Sequence, residues 1–167
     1  LWDAGILLGG FLPALLLGVA FGNIFKGLPM DVSGYHGNLF TLLNPYGLLT
    51  GVLFVALFVE HGAIYTSVKT SGDLSERASA LAGRAWAVLL IIAVLFLAYT
   101  AIATGLYLNY LNNPLLFVVP LIAVVALILI KVFLIKGAGL KAFAASCVTI
   151  ITVCFTGIIG LFPCLIP

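Results

Sequence analysis

Five long apolar runs are the feature of this sequence that most constrains its fold. They cover residues 2–25, 46–68, 85–108, 114–135 and 140–162, and each exceeds the roughly 20 residues that cross a hydrocarbon layer as a helix. Because 64% of the 167 residues are hydrophobic and 7% are charged, the apolar side chains exceed what one soluble core can bury. The sequence therefore predicts an all-α, polytopic transmembrane helix bundle of about five helices, with 1–167 as a single helical region.

Four connections separate the apolar runs. They are a glycine-rich stretch at 26–44, a polar stretch at 69–84, a tight turn at 109–113 and a short basic turn at 136–141. Only the first is long enough to hold structure of its own. The chain starts without a methionine and ends directly after an apolar run, so we expect it to be a fragment of a longer subunit.

Local signals mark helix starts and helix contacts. Asn44-Pro45 and Asn113-Pro114 are typical helix starts, because Asn caps free amides and Pro is tolerated at the first helical position. Glycines four residues apart allow two helices to approach closely in lipid, where packing drives association. We expect such contacts from three glycine pairs: Gly5/Gly9, Gly18/Gly22 and Gly47/Gly51.

The basic residues predict an orientation, because cytoplasmic connections carry an excess of Lys and Arg. The first connection holds Lys26, offset by Asp31, and the third holds no charge. We therefore expect the second and fourth connections to be cytoplasmic, with Leu1 inside and Pro167 outside. Six basic residues carry this prediction: Lys69, Arg77 and Arg84 in the second connection, and Lys131, Lys136 and Lys141 around the fourth.

Three ionisable residues within or beside the apolar runs are candidate functional residues. Glu60 and His61 lie about 22 Å along the second run, within its cytoplasmic third, and Asp3 starts the first run. A charge in hydrocarbon is costly enough to imply a partner or a role, so we expect Glu60 and His61 to face other helices. For both, a proton-handling role and an interfacial or packing role remain open. For Asp3 the alternative is a helix-start charge favoured by the helix dipole.

The sequence does not indicate other site chemistry. A membrane haem takes axial His or Met side chains from helices, but His36 and Met30 lie in the first connection and leave His61 without a second ligand. We therefore expect no haem on this chain, and no metal, phosphate-binding or nucleophile motif is present. A dispersed net charge of +2 gives no surface for nucleic acid. The cysteines in or beside the last run are predicted to be inert thiols: Cys147, Cys154 and Cys164.

Short motifs occur in a fixed order along nearly the whole chain. They are WD (2–3), GVAFGN (18–23), GLP (27–29), LLNPYGLL (42–49), HGA (61–63), KTSG (69–72) and GIIGLFPCLIP (157–167). In this order and spacing they resemble subunit II of the cytochrome bd quinol oxidases. The stretch between Arg84 and Ala145 is similar only in hydropathy, and the first and third connections are shorter here than in some relatives.

The resemblance implies a subunit of a larger enzyme. Members of this family form a heterodimer with a larger subunit, which holds b- and d-type haems, in the bacterial cytoplasmic membrane. The complex is a quinol:oxygen oxidoreductase that reduces dioxygen to water. The implied part of this chain is support of the haem-bearing subunit, with contributions to quinone or lipid binding and to proton or oxygen access. In this setting Glu60, His61 and Asp3 are candidate proton-handling or quinone-contacting residues.

A second function, half of a secondary transporter, is the alternative. Pro13 and Pro120 fall inside apolar runs and are expected to kink their helices. Transporters use broken helices in repeat-related positions to line a substrate site. Here the two prolines lie in the first and fourth runs, at different depths and without a polar cluster, which favours the oxidase subunit.

Overall fold

The computed structural model describes residues 2–31 and 34–162, and nearly all of them are helical. The helices are α1 (Trp2–Lys26), α2 (Leu39–Leu42), α3 (Pro45–Lys69), α4 (Asp73–Ala103), α5 (Leu106–Asn112), α6 (Val118–Ile135) and α7 (Gly139–Leu161), with a 3-10 turn at Pro114–Phe117. Two short strands, β1 (Met30–Asp31) and β2 (Gly34–Tyr35), pair antiparallel in the first connection. The predictions for Leu1, Cys164 and Pro167 concern residues outside the described ranges.

Within the described residues, five helices are long and apolar enough to cross a membrane. They are α1, α3, α4, α7 and the continuous stretch Pro114–Ile135, which contains α6. This confirms the predicted all-α bundle of about five membrane helices. The bounds of four of them agree with the apolar runs to within one residue, whereas α4 differs at both ends.

The predicted polar loop at 69–84 is wrong, because α4 begins at Asp73. Asp73 and Glu76 lie in its first turn, where the helix dipole favours negative charge. Arg77 lies 3.7 Å from Asp73 one turn further on, and both side chains are exposed. Helix-forming charges therefore extend α4 beyond its apolar part, which a search for apolar runs does not detect.

The predicted tight turn at 109–113 is also wrong, because α5 occupies most of this connection. The Tyr110 hydroxyl donates to the Thr156 carbonyl oxygen at 2.5 Å, and Asn109 Nδ2 donates to the Ile159 carbonyl oxygen at 2.6 Å. Both acceptors lie near the end of α7. The short helix is therefore held across that end of the bundle.

Helices α1 and α3 pack closely through glycine. A Cβ added at Gly18 would lie 2.6 Å from the Thr50 carbonyl oxygen and 2.7 Å from Gly51 Cα, and one at Gly22 would lie 2.9 Å from Gly47 Cα. Any larger residue would push the two backbones apart, so two of the three predicted glycine pairs form the contact. The remaining pair has open space around it: Gly5 and Gly9.

The core of the bundle lies between α3, α4, α6 and α7. Helix α3 packs along α4 and against α7, and α6 pairs with α7. Side chains from all four helices meet there and are buried: Leu53, Leu57, Ile64, Leu89, Leu127, Ile130 and Ala145. This core positions the candidate site, because Glu60 and His61 lie in the α3 segment that it surrounds.

The two predicted helix starts behave differently. Asn44 caps α3 as predicted, because its Oδ1 accepts from the Gly47 amide at 2.9 Å and Pro45 takes the first helical position. Asn113 makes no side-chain capping bond, so this part of the prediction is wrong. Pro114 begins the 3-10 turn that leads into α6.

The two internal prolines do not divide their helices. Helix α1 continues through Pro13 from Trp2 to Lys26. Pro120 is the third residue of α6, where a backbone amide has no intrahelical partner to lose. Both helices lie wholly within the described residues, and neither is interrupted as a transporter of the broken-helix kind requires.

Candidate functional site

Glu60 lies on the core-facing side of α3. Its relative exposure is 1%, and Leu57 and Ile64, one turn away on either side, are buried in the same core. Its Oε1 atom is buried without a hydrogen-bond partner among the described residues. The predicted burial of Glu60 is therefore confirmed. A buried carboxyl with an unsatisfied oxygen is costly, and this cost suggests that Glu60 serves a role.

His61 faces α7 rather than the core. Its Nδ1 lies 2.7 Å from Ser146 Oγ, and its ring stacks on Phe143 with the ring centroids 4.8 Å apart. Ser146 is 1% exposed, whereas His61 is half-buried. Neighbouring residues on a helix point about 100° apart, so Glu60 and His61 serve different surfaces of α3.

The hydrogen bonds of Ser146 assign a tautomer to His61. The Ser146 hydroxyl donates to the Phe143 carbonyl oxygen at 2.8 Å, which uses its one proton. With the Ser146 proton in that bond, His61 Nδ1 is the donor to Ser146 Oγ, and the neutral ring then carries its proton on Nδ1. This leaves Nε2 as a hydrogen-bond acceptor.

Asp3 does not join the other two candidates. It lies exposed in the first turn of α1, at a position that the helix dipole favours for negative charge. No side chain of the described residues comes close to the neighbouring Gly5 or Gly9. The helix-start interpretation therefore has the more direct structural support, and the ligand-contacting role of Asp3 stays a prediction.

Lys131 lies in the fourth predicted apolar run, and the structure places it inside the membrane helix α6 rather than in the basic turn with which its charge was counted. It lies inside α6 and is half-buried, with Nζ 5.3 Å from the centroid of the Trp86 ring. Trp86 Nε1 in turn donates to the Leu127 carbonyl oxygen at 2.7 Å. The sequence signal for this contact with Trp86 was the position of Lys131 relative to the core residues Leu127 and Ile130. This position places Lys131 on the inner face of α6.

The described residues do not assemble a haem or metal centre. Within 2–31 and 34–162 no group of three or more His, Cys, Asp or Glu side chains is placed to hold a metal ion. A second axial His or Met beside His61 is needed for a membrane haem, and the described parts of the membrane helices hold none. The free thiols of α7 are half-buried: Cys147 and Cys154.

The five long apolar helices of the described residues define a multi-pass helical membrane protein. The sequence model of the family described as cytochrome bd terminal oxidase subunit II matches residues 1–167, and the chain belongs to this family. The resemblance seen in the ordered motifs is thereby confirmed.

Curated relatives agree with the family match. The chain is 32% identical to cytochrome bd-I ubiquinol oxidase subunit 2 of Escherichia coli (strain K12) over 199 aligned positions, which cover 100% of this chain and 52% of that protein. It is 32% identical to the probable cytochrome oxidase subunit 2 of Haemophilus influenzae, with 99% and 52% covered. It is 31% identical to cytochrome bd ubiquinol oxidase subunit 2 of Bacillus subtilis, with 64% and 32% covered. The chain thus spans about half the length of the first two relatives.

Proposed function

We propose that the chain is part of a non-haem membrane subunit of a cytochrome bd-type terminal oxidase, which couples quinol oxidation to the reduction of dioxygen to water. The observation that carries the proposal is the family match over residues 1–167. The names of the relatives as ubiquinol oxidase subunits support the substrate class. Since the chain spans about half their length, the activity is proposed for the whole complex.

The proposed partner is the larger subunit, which would hold the b- and d-type haems. The proposed main role of this chain is to support that subunit within the membrane. The first half of α1 supports this supporting role, because it exposes large apolar side chains such as Ile6, Leu7 and Phe11. These side chains are free to contact lipid or other helices. The described parts of the membrane helices hold no second axial His or Met beside His61, which agrees with haems held elsewhere.

Glu60 and His61 suit different tasks within that role. Glu60 is sealed inside the bundle, so its proposed task is to hold or pass a proton. His61 is half-buried beside the exposed Tyr65, and its Nε2 acceptor suits a hydroxyl donor such as quinol approaching from the lipid. His61 is therefore the proposed quinone-contacting residue of the pair.

The proposed location is the bacterial cytoplasmic membrane, with the start of α1 in the cytoplasm. Three basic residues lie at the end of α3 or in the charged first turns of α4: Lys69, Arg77 and Arg84. Lys136 and Lys141 flank the α6–α7 connection. Both groups lie at the same end of the bundle, because α3 and α4 are antiparallel neighbours and Gly139 of α7 approaches Val68 of α3.

Separate and joint expression tests the proposed function. The complete subunit expressed alone is expected to show no haem Soret band. Joint expression with the larger subunit should yield a complex with the haem spectrum and quinol-dependent oxygen uptake. Stoichiometric haem on this subunit alone, lost in His61→Ala, would contradict the non-haem assignment, and a complex without oxygen uptake would contradict the oxidase assignment.

The Ser146→Ala variant tests the proposed contact of His61 with quinol in that complex. Loss of the serine removes the acceptor that fixes the His61 ring, so KM for quinol should rise while the haem spectrum stays unchanged. Ser79→Ala, at an exposed position on α4, is the matched control and should change neither quantity. An unchanged KM in both Ser146→Ala and His61→Ala would exclude the contact.

A further inference from the structure

An apolar cavity of about 140 Å³ lies inside the bundle. Each of the four core helices contributes to its wall, for example through Leu53 of α3, Leu89 of α4, Leu127 of α6 and Val153 of α7. Helix α5 adds Leu106, Tyr107 and Tyr110 to the wall. Glu60 and His61 are not in the wall, so the cavity is separate from the candidate site described above.

The hydroxyl groups in the wall are already bonded to the protein. Four threonines and two tyrosines each donate to a backbone carbonyl oxygen, at distances between 2.5 and 3.0 Å: Thr50, Thr100, Tyr107, Tyr110, Thr149 and Thr156. A buried water needs two to four polar partners, and a quinone ring or lipid headgroup needs donors to its oxygens. These bonds use the hydroxyl protons, so the wall offers no free hydroxyl donor and favours an occupant without polar groups.

The size of the cavity limits the occupant further. A dry engineered cavity of about 150 Å³, lined by aliphatic and aromatic side chains, takes up benzene or xenon. The cavity of this chain has nearly the same volume and a similar lining. A complete acyl or isoprenoid chain is much larger, so a single small molecule matches the space better.

Two residues of the cavity wall also reach the outside of the bundle. Leu97 of α4 and Val124 of α6 belong to its wall and are 44% and 48% exposed on the outside of the bundle. Helix α5, which contributes to the wall, is held to α7 by Tyr110 and Asn109. A solute would therefore enter sideways from the hydrocarbon layer, between α4 and α6.

We propose that this cavity is a binding site for one small apolar molecule taken up from the membrane, a class to which xenon and dioxygen belong. The inference goes beyond the oxidase proposal and does not depend on it, because it rests on the volume, lining and access of the cavity alone. Xenon is the appropriate probe, since it has no polar contacts to make and detects space of this size.

Xenon-129 NMR on the intact complex in lipid nanodiscs tests the proposal. We expect a protein-bound xenon signal that saturates with xenon pressure and is missing from empty nanodiscs. Ala93→Phe and Ala123→Phe, which fill the cavity from α4 and α6, should each abolish it. Ala98→Phe is the matched control, because Ala98 is exposed on α4 and outside the wall, and it should keep the signal.

Two results would overturn the proposal. One is a wild-type complex without a saturable signal, whether because an acyl chain fills the space or because the space is closed. The other is a signal that persists in both filling variants, which would place the bound xenon elsewhere. Loss of oxidase activity with an intact xenon signal would count against the proposed function and leave this site standing.

Discussion

The side-chain amides of Asn23 and Asn44 form a direct hydrogen bond, in which Asn44 Nδ2 donates to Asn23 Oδ1 at 2.8 Å. Asn23 Nδ2 also donates to the Val19 and Leu42 carbonyl oxygens, both at 2.7 Å. Asn44 Oδ1 meanwhile caps α3 by accepting from Gly47. Asn23 is 5% exposed, so this network fixes the last turns of α1 against the start of α3 with its polar atoms satisfied.

Replacing Asn23 should therefore destabilise the bundle. Asn23→Ala leaves the Leu42 carbonyl oxygen and one Asn44 donor hydrogen without their partner, and we expect a loss of about 2 kcal/mol in the free energy of unfolding. Denaturation of the complex in nanodiscs measures it. Asn112→Ala, at an exposed position, is the control, and equal stability of the two variants would show that the network contributes little.

The α1–α3 contact should not tolerate a methyl group. In Gly18→Ala the new Cβ meets backbone atoms of Thr50 and Gly51, which cannot move aside as a flexible side chain can, so we expect a loss of about 1–3 kcal/mol. Gly9→Ala lies on the same helix with open space around it and should gain up to about 1 kcal/mol from helix propensity. Thermal unfolding distinguishes the two, and similar shifts in both variants would contradict the contact.

Glu60 should show opposite effects on stability and on activity. Glu60→Leu removes a buried oxygen that has no partner among the described residues, so we expect stability to stay equal or rise by about 1–3 kcal/mol. If Glu60 handles protons, quinol-dependent oxygen uptake should fall in the same variant. Assembly and turnover that both match the wild type would leave Glu60 a packing residue, and Leu57→Met is a control for a conservative change in the same core.

Accessibility to a membrane-impermeant thiol reagent tests the orientation. In a variant without the native cysteines, Ser71→Cys in the α3–α4 connection should stay unlabelled in intact cells and react after lysis. Asn112→Cys, at the opposite end of the bundle, should react in intact cells. Labelling of Ser71→Cys from outside would mean that the proposed orientation is inverted.

Hydropathy predicted the membrane helices, because a helix must have about 20 apolar residues to cross the hydrocarbon layer in any bundle. It could not predict where α4 begins, since Asp73 and Glu76 form helix through charge placement rather than burial. It also merged α4 with the start of α5, because Leu106 and Leu108 continue the apolar run past the break at Gly105. Helix ends in lipid thus depend on local capping and charge, which hydropathy does not measure.

The candidate site was predicted only as single residues. The sequence pointed to Glu60 and His61, but it could not give the pairing of His61 with Ser146, which lies 85 residues away in the chain. It placed Lys131 in the fourth apolar run but did not predict its contact with Trp86, although the spacing from Leu127 places it on the inner face of α6. Partners across a bundle depend on how the helices rotate against each other, and one sequence alone leaves that rotation open.

The length of α4 has a consequence for how the protein sits in bilayers of different thickness. Its 31 residues extend over roughly 46 Å, whereas a hydrocarbon core is about 30 Å thick. The charged residues from Asp73 to Arg84 place the excess at one end, while the α6–α7 hairpin turns sharply at that same end. A thicker membrane would therefore bring the charged turns of α4 into hydrocarbon, which is costly, whereas α6 has no such extension, so mismatch strain would fall unequally on the two helical hairpins.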